Sequence, residues 1–297
     1  MKRLFVFLHG IGDCIMFTPA LRFYKEKNPN DKVFVLTLDF TRDIFRNNPY
    51  IDGVIVSKKF SRVPNFANYF KYIPNERKML MNEIASIKKR YEIDEIDVIL
   101  PHSISLFGIK LSIPGKLRRL PLFYRLEKHE IIKLCREIGV SGGKDWPSDF
   151  KQEIFLSKDD LYKAKQTIKR LKVKHPFSII HADASSDNKS LSKDETDKLI
   201  ETLKDKGFDV LLLNSTSERK DVKKFESKSI SLSSGIIQMC SLFVGIDSGP
   251  AHIAEALEKR LIVISKAFRV ENLFINRKKS LLLNGFDLDK IVTYLEK

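Results

Sequence analysis

Short apolar runs alternate with segments of helical spacing along almost the whole chain, and this alternation limits the fold more than any other feature. In the first half, the predicted strands are 3–8, 32–38, 53–56 and 97–100, and the predicted helices are 15–27, 41–47 and 76–91. Strands that alternate with helices form parallel sheets with right-handed crossovers. The sequence therefore predicts an α/β fold.

The pattern stops at a polar, turn-rich stretch from Ser141 to Pro147 and then restarts. In the second half, the predicted strands are 177–181, 209–213, 229–232, 242–246 and 260–264, and the predicted helices are 158–171, 193–206, 217–226, 236–240, 250–257 and 287–296. A chain of 297 residues is roughly twice the length of a common domain. We therefore predict two domains, 1–145 and 146–297, with the last helix packing back on the first.

The cysteines and the lengths of the apolar runs indicate the cellular location of the protein. The cysteines Cys14, Cys135 and Cys240 are far apart in the sequence, which gives neither a disulfide framework nor a metal-binding motif. The apolar run at 4–8 is too short for a signal peptide, and no run approaches the roughly 20 apolar residues that span a bilayer. We expect a cytoplasmic protein.

The formal net charge of +15 indicates which kinds of binding partner the protein could attract. The densest basic segment, Lys110 to Lys144, holds nine basic and three acidic residues. Such a field attracts polyanions such as nucleic acid, anionic lipid or phosphorylated glycolipid, although a basic composition that only keeps the protein in solution explains it equally well. No nucleic-acid-binding motif is present, so no nucleic-acid partner is expected.

The segment FVGIDSGPAHIAEAL, residues 243–257, predicts a strand that leads directly into a helix. Pro250 falls in the first helical turn, where a missing N–H costs little. Free amides and the helix dipole make such a turn an anion site, typically for pyrophosphate, and His252 could add a hydrogen bond. The alternative is structural: Asp247 and Ser248 cap the helix and His252 is a packed side chain.

A second turn, Gly10-Ile11-Gly12-Asp13, lies between the first predicted strand and helix. It is not a dinucleotide fingerprint, because Ile15 stands where a glycine or alanine is needed. The acidic Asp13 disfavours pyrophosphate here, and a carboxylate at the mouth of a cleft can instead take a proton from a hydroxyl. As an N-cap alone, Asp13 would be unremarkable.

These segments resemble a known family. FLHGIGDCIMFTPALRFYKEKNP and NNPYIDGVIV resemble the opening of the bacterial heptosyltransferases of glycosyltransferase family 9, and DSGPAHIAEAL is similar to the signature of that family's second domain. Between them, HADASSDNKSLSKDETDKLIETLKDKGFDVLLL resembles the family's phosphate-loop strand, lysine and following helix. The resemblance covers roughly 1–56 and 177–264.

The resemblance implies a glycosyltransferase B (GT-B) architecture: two Rossmann-like domains with parallel sheets facing a central cleft, the acceptor on the first and the donor on the second. The implied activity is metal-independent, inverting transfer of a heptose or related sugar from a nucleotide diphosphate sugar to an anionic glycan or glycolipid such as lipopolysaccharide core. The expected co-substrate is an ADP-sugar with no further cofactor. Peripheral contact with the inner membrane surface is implied by such an acceptor.

The resemblance also implies residue roles. Asp13 matches the general base, and Lys189 matches the lysine that neutralises the departing diphosphate. Ser248, Gly249 and His252 match the phosphate-contacting turn, with Asp247 fixing it. The remaining implied site residues are Ser185 and Glu218 on the donor side, Glu218 at the ribose, and Gly12, Arg118 and Arg119 on the acceptor side.

The chain also departs from the family pattern. Ala182-Asp183 replaces a proline-glycine pair, Leu191 replaces an aromatic residue, and Ser265 to Phe268 replaces a phenylalanine-glycine pair. These changes bear on which donor is accepted more than on the reaction. The alternative is a catalytically degenerate protein that binds a nucleotide sugar without transfer. A nicotinamide-dependent oxidoreductase is disfavoured, because the chain lacks the dinucleotide-binding fingerprint.

Overall fold

The computed structural model describes residues 1–63, 73–99, 129–140, 150–184, 187–274 and 279–297. The chain divides into two compact units, Met1–Trp146 and Pro147–Lys297. Three predicted site residues, Arg118, Arg119 and Ser185, lie outside the described residues, as does the predicted linker 141–147.

The first unit is a parallel sheet with helices. Its elements are β1 (Lys2–Val6), α1 (Ile11–Lys27), β2 (Lys32–Thr37), α2 (Arg42–Phe45), β3 (Gly53–Val56), α3 (Ile73–Tyr91), β4 (Glu95–Val98) and α4 (Glu130–Glu137). The strand order is β3-β2-β1-β4, and every pair is parallel. Side chains of β1 alternate between the faces: Phe5 packs on Phe17 and Tyr24 of α1, and Leu4 and Val6 join the core cluster that includes residues of α3.

The second unit repeats this architecture on a larger sheet. Its elements are α5 (Lys158–Arg170), β5 (Phe177–His181), α6 (Lys193–Asp205), β6 (Asp209–Leu213), β7 (Lys223–Phe225), α7 (Ile230–Met239), β8 (Leu242–Ile246), α8 (Gly249–Ala256), β9 (Leu261–Ser265), β10 (Ser280–Asn284) and α9 (Leu288–Leu295). The order β10-β9-β8-β5-β6-β7 is all parallel. It matches the Rossmann order, in which the first and fourth strands lie side by side. The predicted α/β class is confirmed.

Polar residues start several helices, as their sequences suggest. Ser157 and Ser192 form capping boxes with Asp160 and Glu195 at α5 and α6.

The last helix, α9, packs on α6 of its own unit. Over the described ranges, no helix combines the length and the apolar character needed to cross a bilayer.

Two predictions in the second unit were wrong. The segment 217–226 is not a helix: its end forms the edge strand β7, and Ser217 and Arg219 bond within the loop or to nearby acids. The segment 229–232 is not a strand, because the Ser229 hydroxyl caps α7 by accepting the Leu232 N–H at 3.2 Å. Alternating serines there imitate a strand pattern. The strand β10 was not predicted.

Candidate nucleotide-binding site

The second unit has a topological switch point between β5 and β8. From β5 the chain continues to β6 on one side, whereas β8 lies on the other. In open parallel sheets, ligands bind outside the carboxyl ends of the strands at such a point. Lys189 follows β5 and Asp247 follows β8, so both predicted residues lie at this edge.

The start of α8 presents backbone donors at the same edge. The N–H groups of Ala251 and His252 donate to the Ser248 carbonyl at 3.1 and 3.2 Å, and Pro250 has no N–H. The amide of Gly249, at the first helical position, has no carbonyl to bond within the helix. Ser248 occupies the N-cap position, but its side chain makes no capping hydrogen bond. The turn therefore keeps a backbone donor and the positive end of the helix dipole for an anion.

Asp247 links this turn to Lys189. One carboxylate oxygen lies 3.4 Å from Lys189 Nζ, and the other lies 3.6 Å from His252 Nε2. Burial raises the pKa of Asp247, but the imidazole of His252 and the ammonium of Lys189 outweigh burial and hold that pKa below its ordinary value. The carboxylate thus stays ionised and orients Lys189 beside the turn.

His252 is a buried side chain. The residue is 2% exposed, and its ring stacks on Phe274 with centroids 4.3 Å apart. Here it contacts Asp247, so it supports the turn through that carboxylate. Direct contact of His252 with a phosphate stays a prediction.

Sequence reasoning missed His181, the last residue of β5. Its Nδ1 lies 3.1 Å from Ser248 Oγ, and that hydroxyl donates to the Ile246 carbonyl at 3.1 Å. Because the single hydroxyl proton is used there, His181 must donate from Nδ1 to Ser248. The sequence signal that could have identified His181 was a polar residue at the carboxyl end of an apolar strand.

The buried His181 gives a pH prediction. Burial lowers its pKa from 6.5 to about 4, so between these values the unfolded chain binds a proton that the folded one does not. The contribution of neutral His181 to the free energy of unfolding is therefore fully present above pH 6.5 and is lost as the pH falls toward 4. Between pH 7 and 4.5 the wild type should lose about 2 kcal/mol more free energy of unfolding than His181→Gln, as measured by urea denaturation. Parallel pH profiles of the two proteins would contradict this.

The loop after β6 is tied to β5. The Asp183 carboxylate accepts hydrogen bonds from the Thr216 N–H at 3.1 Å and its hydroxyl at 3.0 Å. The acid that replaces the family glycine therefore has partners on the β6 loop. Glu218 is exposed two residues farther along this loop, on the side of β5 away from β8.

In the first unit, Asp13 lies in the first turn of α1, because the helix begins at Ile11 and not at 15 as predicted. Gly12 and Asp13 are thus helical, and the N-cap is Gly10, so the interpretation of Asp13 as an N-cap was wrong. The Asp13 side chain is 44% exposed, and its Oδ2 lies 3.9 Å from His9 Nδ1. An acid here is favoured by the helix dipole and is accessible to solvent.

The buried His9 lies at the switch point of the first sheet. Its Nε2 donates to the Ile99 carbonyl at 3.0 Å, which joins the ends of β1 and β4. Its ring stacks on Phe7 with centroids 4.0 Å apart. Asp13 is therefore presented at the carboxyl edge of its own sheet by a packed support.

The structure thus brings together Lys189, Asp247, Ser248 and His252, directly or through one shared partner. A strand-to-helix turn of this kind, at the switch point of a Rossmann-like sheet, is typical of the nucleotide-binding α/β proteins. Residues 131–266 match the sequence model of the family described as glycosyltransferase family 9 (heptosyltransferase). The resemblance to glycosyltransferase family 9 seen in the sequence is confirmed over this segment.

Solved structures agree with this assignment at the level of fold. A glycosyltransferase family 9 protein from Veillonella parvula matches with a TM-score of 0.72 at 15% identity, over 100% of this chain and 89% of its own. The ADP-heptose lipopolysaccharide heptosyltransferase II of E. coli gives 0.71 at 15% identity, over 100% and 98%. E. coli heptosyltransferase WaaC, solved with ADP, gives 0.61 at 14% identity, over 100% and 99%.

The fold is therefore heptosyltransferase-like, of the GT-B type. A comparison with curated proteins finds no significant match.

Proposed function

We propose that this protein is an inverting glycosyltransferase that moves a heptose or related sugar from a nucleotide diphosphate sugar to a hydroxyl of an anionic glycan or glycolipid. The observation that carries the proposal is the Lys189–Asp247 pair beside the Gly249 amide, at the switch point of a Rossmann-like sheet. A cation and a helix N-terminus at this edge of the sheet would together attract a diphosphate.

In the proposed reaction, the Asp13 carboxylate takes the proton of the acceptor hydroxyl. The oxygen attacks the anomeric carbon as the bond from that carbon to the diphosphate oxygen breaks, which inverts the anomeric centre. The nucleoside diphosphate leaves with the bonding electron pair. Lys189 and the start of α8 stabilise the charge that develops on it.

The remaining roles belong to the same proposal. Ser248 can turn its hydroxyl proton from the Ile246 carbonyl to a phosphate oxygen while His181 continues to donate to it. Glu218 would hold the ribose hydroxyls, and Ser185 would contact the donor. Gly12, Arg118 and Arg119 would lie on the acceptor side.

An ADP-sugar is the donor that we propose, since E. coli WaaC, whose fold this chain shares, was solved with ADP. The net charge of +15 supports the proposed acceptor class, because it favours anionic molecules such as a phosphorylated lipopolysaccharide core at the membrane surface. With Lys189 and the helix dipole on the leaving group, we propose that transfer needs no metal ion.

A thermal-shift panel of ADP-, GDP- and UDP-sugars tests the donor. At a hundredfold excess over the dissociation constant, an ADP-sugar should raise the melting temperature by roughly 5–10 °C, because it binds only the folded state. A larger shift with another nucleotide would reassign the donor.

Sugar transfer is tested with a phosphorylated glycolipid as the acceptor and its dephosphorylated form as the control. Transfer to the phosphorylated form should persist in EDTA, and loss of transfer in EDTA would contradict metal independence. Binding without transfer to any acceptor would favour the degenerate alternative.

A further inference from the structure

Lys189 has a second neighbour besides Asp247. Its Nζ lies 4.7 Å from the centroid of the Phe268 ring, within the distance of a cation–π interaction. Phe268 is 57% exposed, and among the described residues of this unit the only other exposed large apolar side chain is Tyr162 on α5. Phe268 therefore presents an aromatic face beside the proposed phosphate site.

A hydrogen-bonded turn holds this ring in place. The buried Ser265, the last residue of β9, donates its hydroxyl to the Phe268 carbonyl at 2.7 Å and accepts the Phe268 N–H at 3.3 Å. Between them, Lys266 reaches the Ser190 carbonyl at 3.3 Å and the Glu195 carboxylate at 2.5 Å. The turn that carries Phe268 is thus tied to the loop that carries Lys189.

We infer that Phe268 is a positioning residue that holds the Lys189 ammonium beside the anion-binding turn without neutralising its charge. Asp247 also holds Lys189, but as a carboxylate it competes with a phosphate for the same cation. A neutral ring attracts the ammonium and leaves its full charge for the ligand. The inference rests on the proposed function, in which Lys189 contacts the donor diphosphate.

Calorimetric titration with ADP tests this role. Phe268→Leu keeps an apolar side chain but removes the ring, and it should raise the ADP dissociation constant by about two- to tenfold. Phe268→Tyr restores a ring and should bind ADP as the wild type does. Tyr162→Leu removes the other exposed ring and is the matched control, with no expected change.

A double-mutant cycle separates positioning of Lys189 from a general effect on the loop. If Phe268 acts through the ammonium, Phe268→Leu should cause no further loss in a Lys189→Ala background. An equal loss in both backgrounds, or wild-type affinity of Phe268→Leu, would overturn the inference while the proposed function stands. Failure of the wild type to bind ADP would instead reject the proposed ADP-sugar donor, and this inference with it.

Discussion

Asp13→Asn should lower the rate of sugar transfer by about 10²- to 10⁴-fold, the usual contribution of a general base. The amide keeps the size of the side chain but cannot accept the hydroxyl proton. Asp13 lies in the first unit, whereas the proposed phosphate contacts belong to the second, so ADP affinity should be unchanged. Transfer is measured as ADP release in the presence of acceptor, and binding by calorimetry.

The matched control for Asp13 is Glu92→Gln. Glu92 also belongs to the first unit and its side chain is 83% exposed, but it lies between α3 and β4, at the opposite, amino edge of the sheet. This substitution should leave both transfer and binding unchanged. Wild-type turnover by Asp13→Asn would remove Asp13 from the mechanism, and loss of ADP binding would show that the residue acts on the donor.

Lys189→Ala should lower the transfer rate by about a hundredfold, the typical cost of one electrostatic contact to the developing charge. It should also weaken the binding of ADP more than that of AMP, because the proposed contact is to the terminal phosphate that AMP lacks. The partner Asp247 loses a nearby cation, so its pKa should rise. Single-turnover rates and the affinities of ADP and AMP are the measurements.

Lys198→Ala is the matched control for Lys189. This lysine lies on α6, is 52% exposed and pairs with Asp194, so its loss should change neither rate nor affinity. A Lys189→Ala protein that transfers sugar at the wild-type rate would contradict the assigned role. Equal weakening of ADP and AMP would place the lysine away from the terminal phosphate.

The buried strands were the most predictable part of the fold. The bounds predicted for β3, β5, β6 and β8 agree with the structure, and β5 and β8 are buried at every position. Strands of an internal parallel sheet are continuous apolar runs, which a sequence displays directly. The edge strand β7 is short and contains Lys223 and Lys224, so no such run marks it.

Contacts between distant residues were not predictable in the same way. The motif around Asp247 was visible from its own sequence, but the contact of Ser248 with His181 joins residues 67 positions apart. The register that pairs β5 with β8 brings them together. Phe268 was noted only as a departure from a family pattern, because its contact with Lys189 depends on how two separate loops fold.

A crystal structure with ADP tests the central claim most directly. We predict that a terminal phosphate oxygen lies about 3 Å from both the Gly249 amide nitrogen and Lys189 Nζ, the normal distance for hydrogen bonds to an anion. Lys189 should then have moved away from Asp247 toward that oxygen. ADP bound elsewhere, with the start of α8 and Lys189 making no contact to phosphate, would contradict the account.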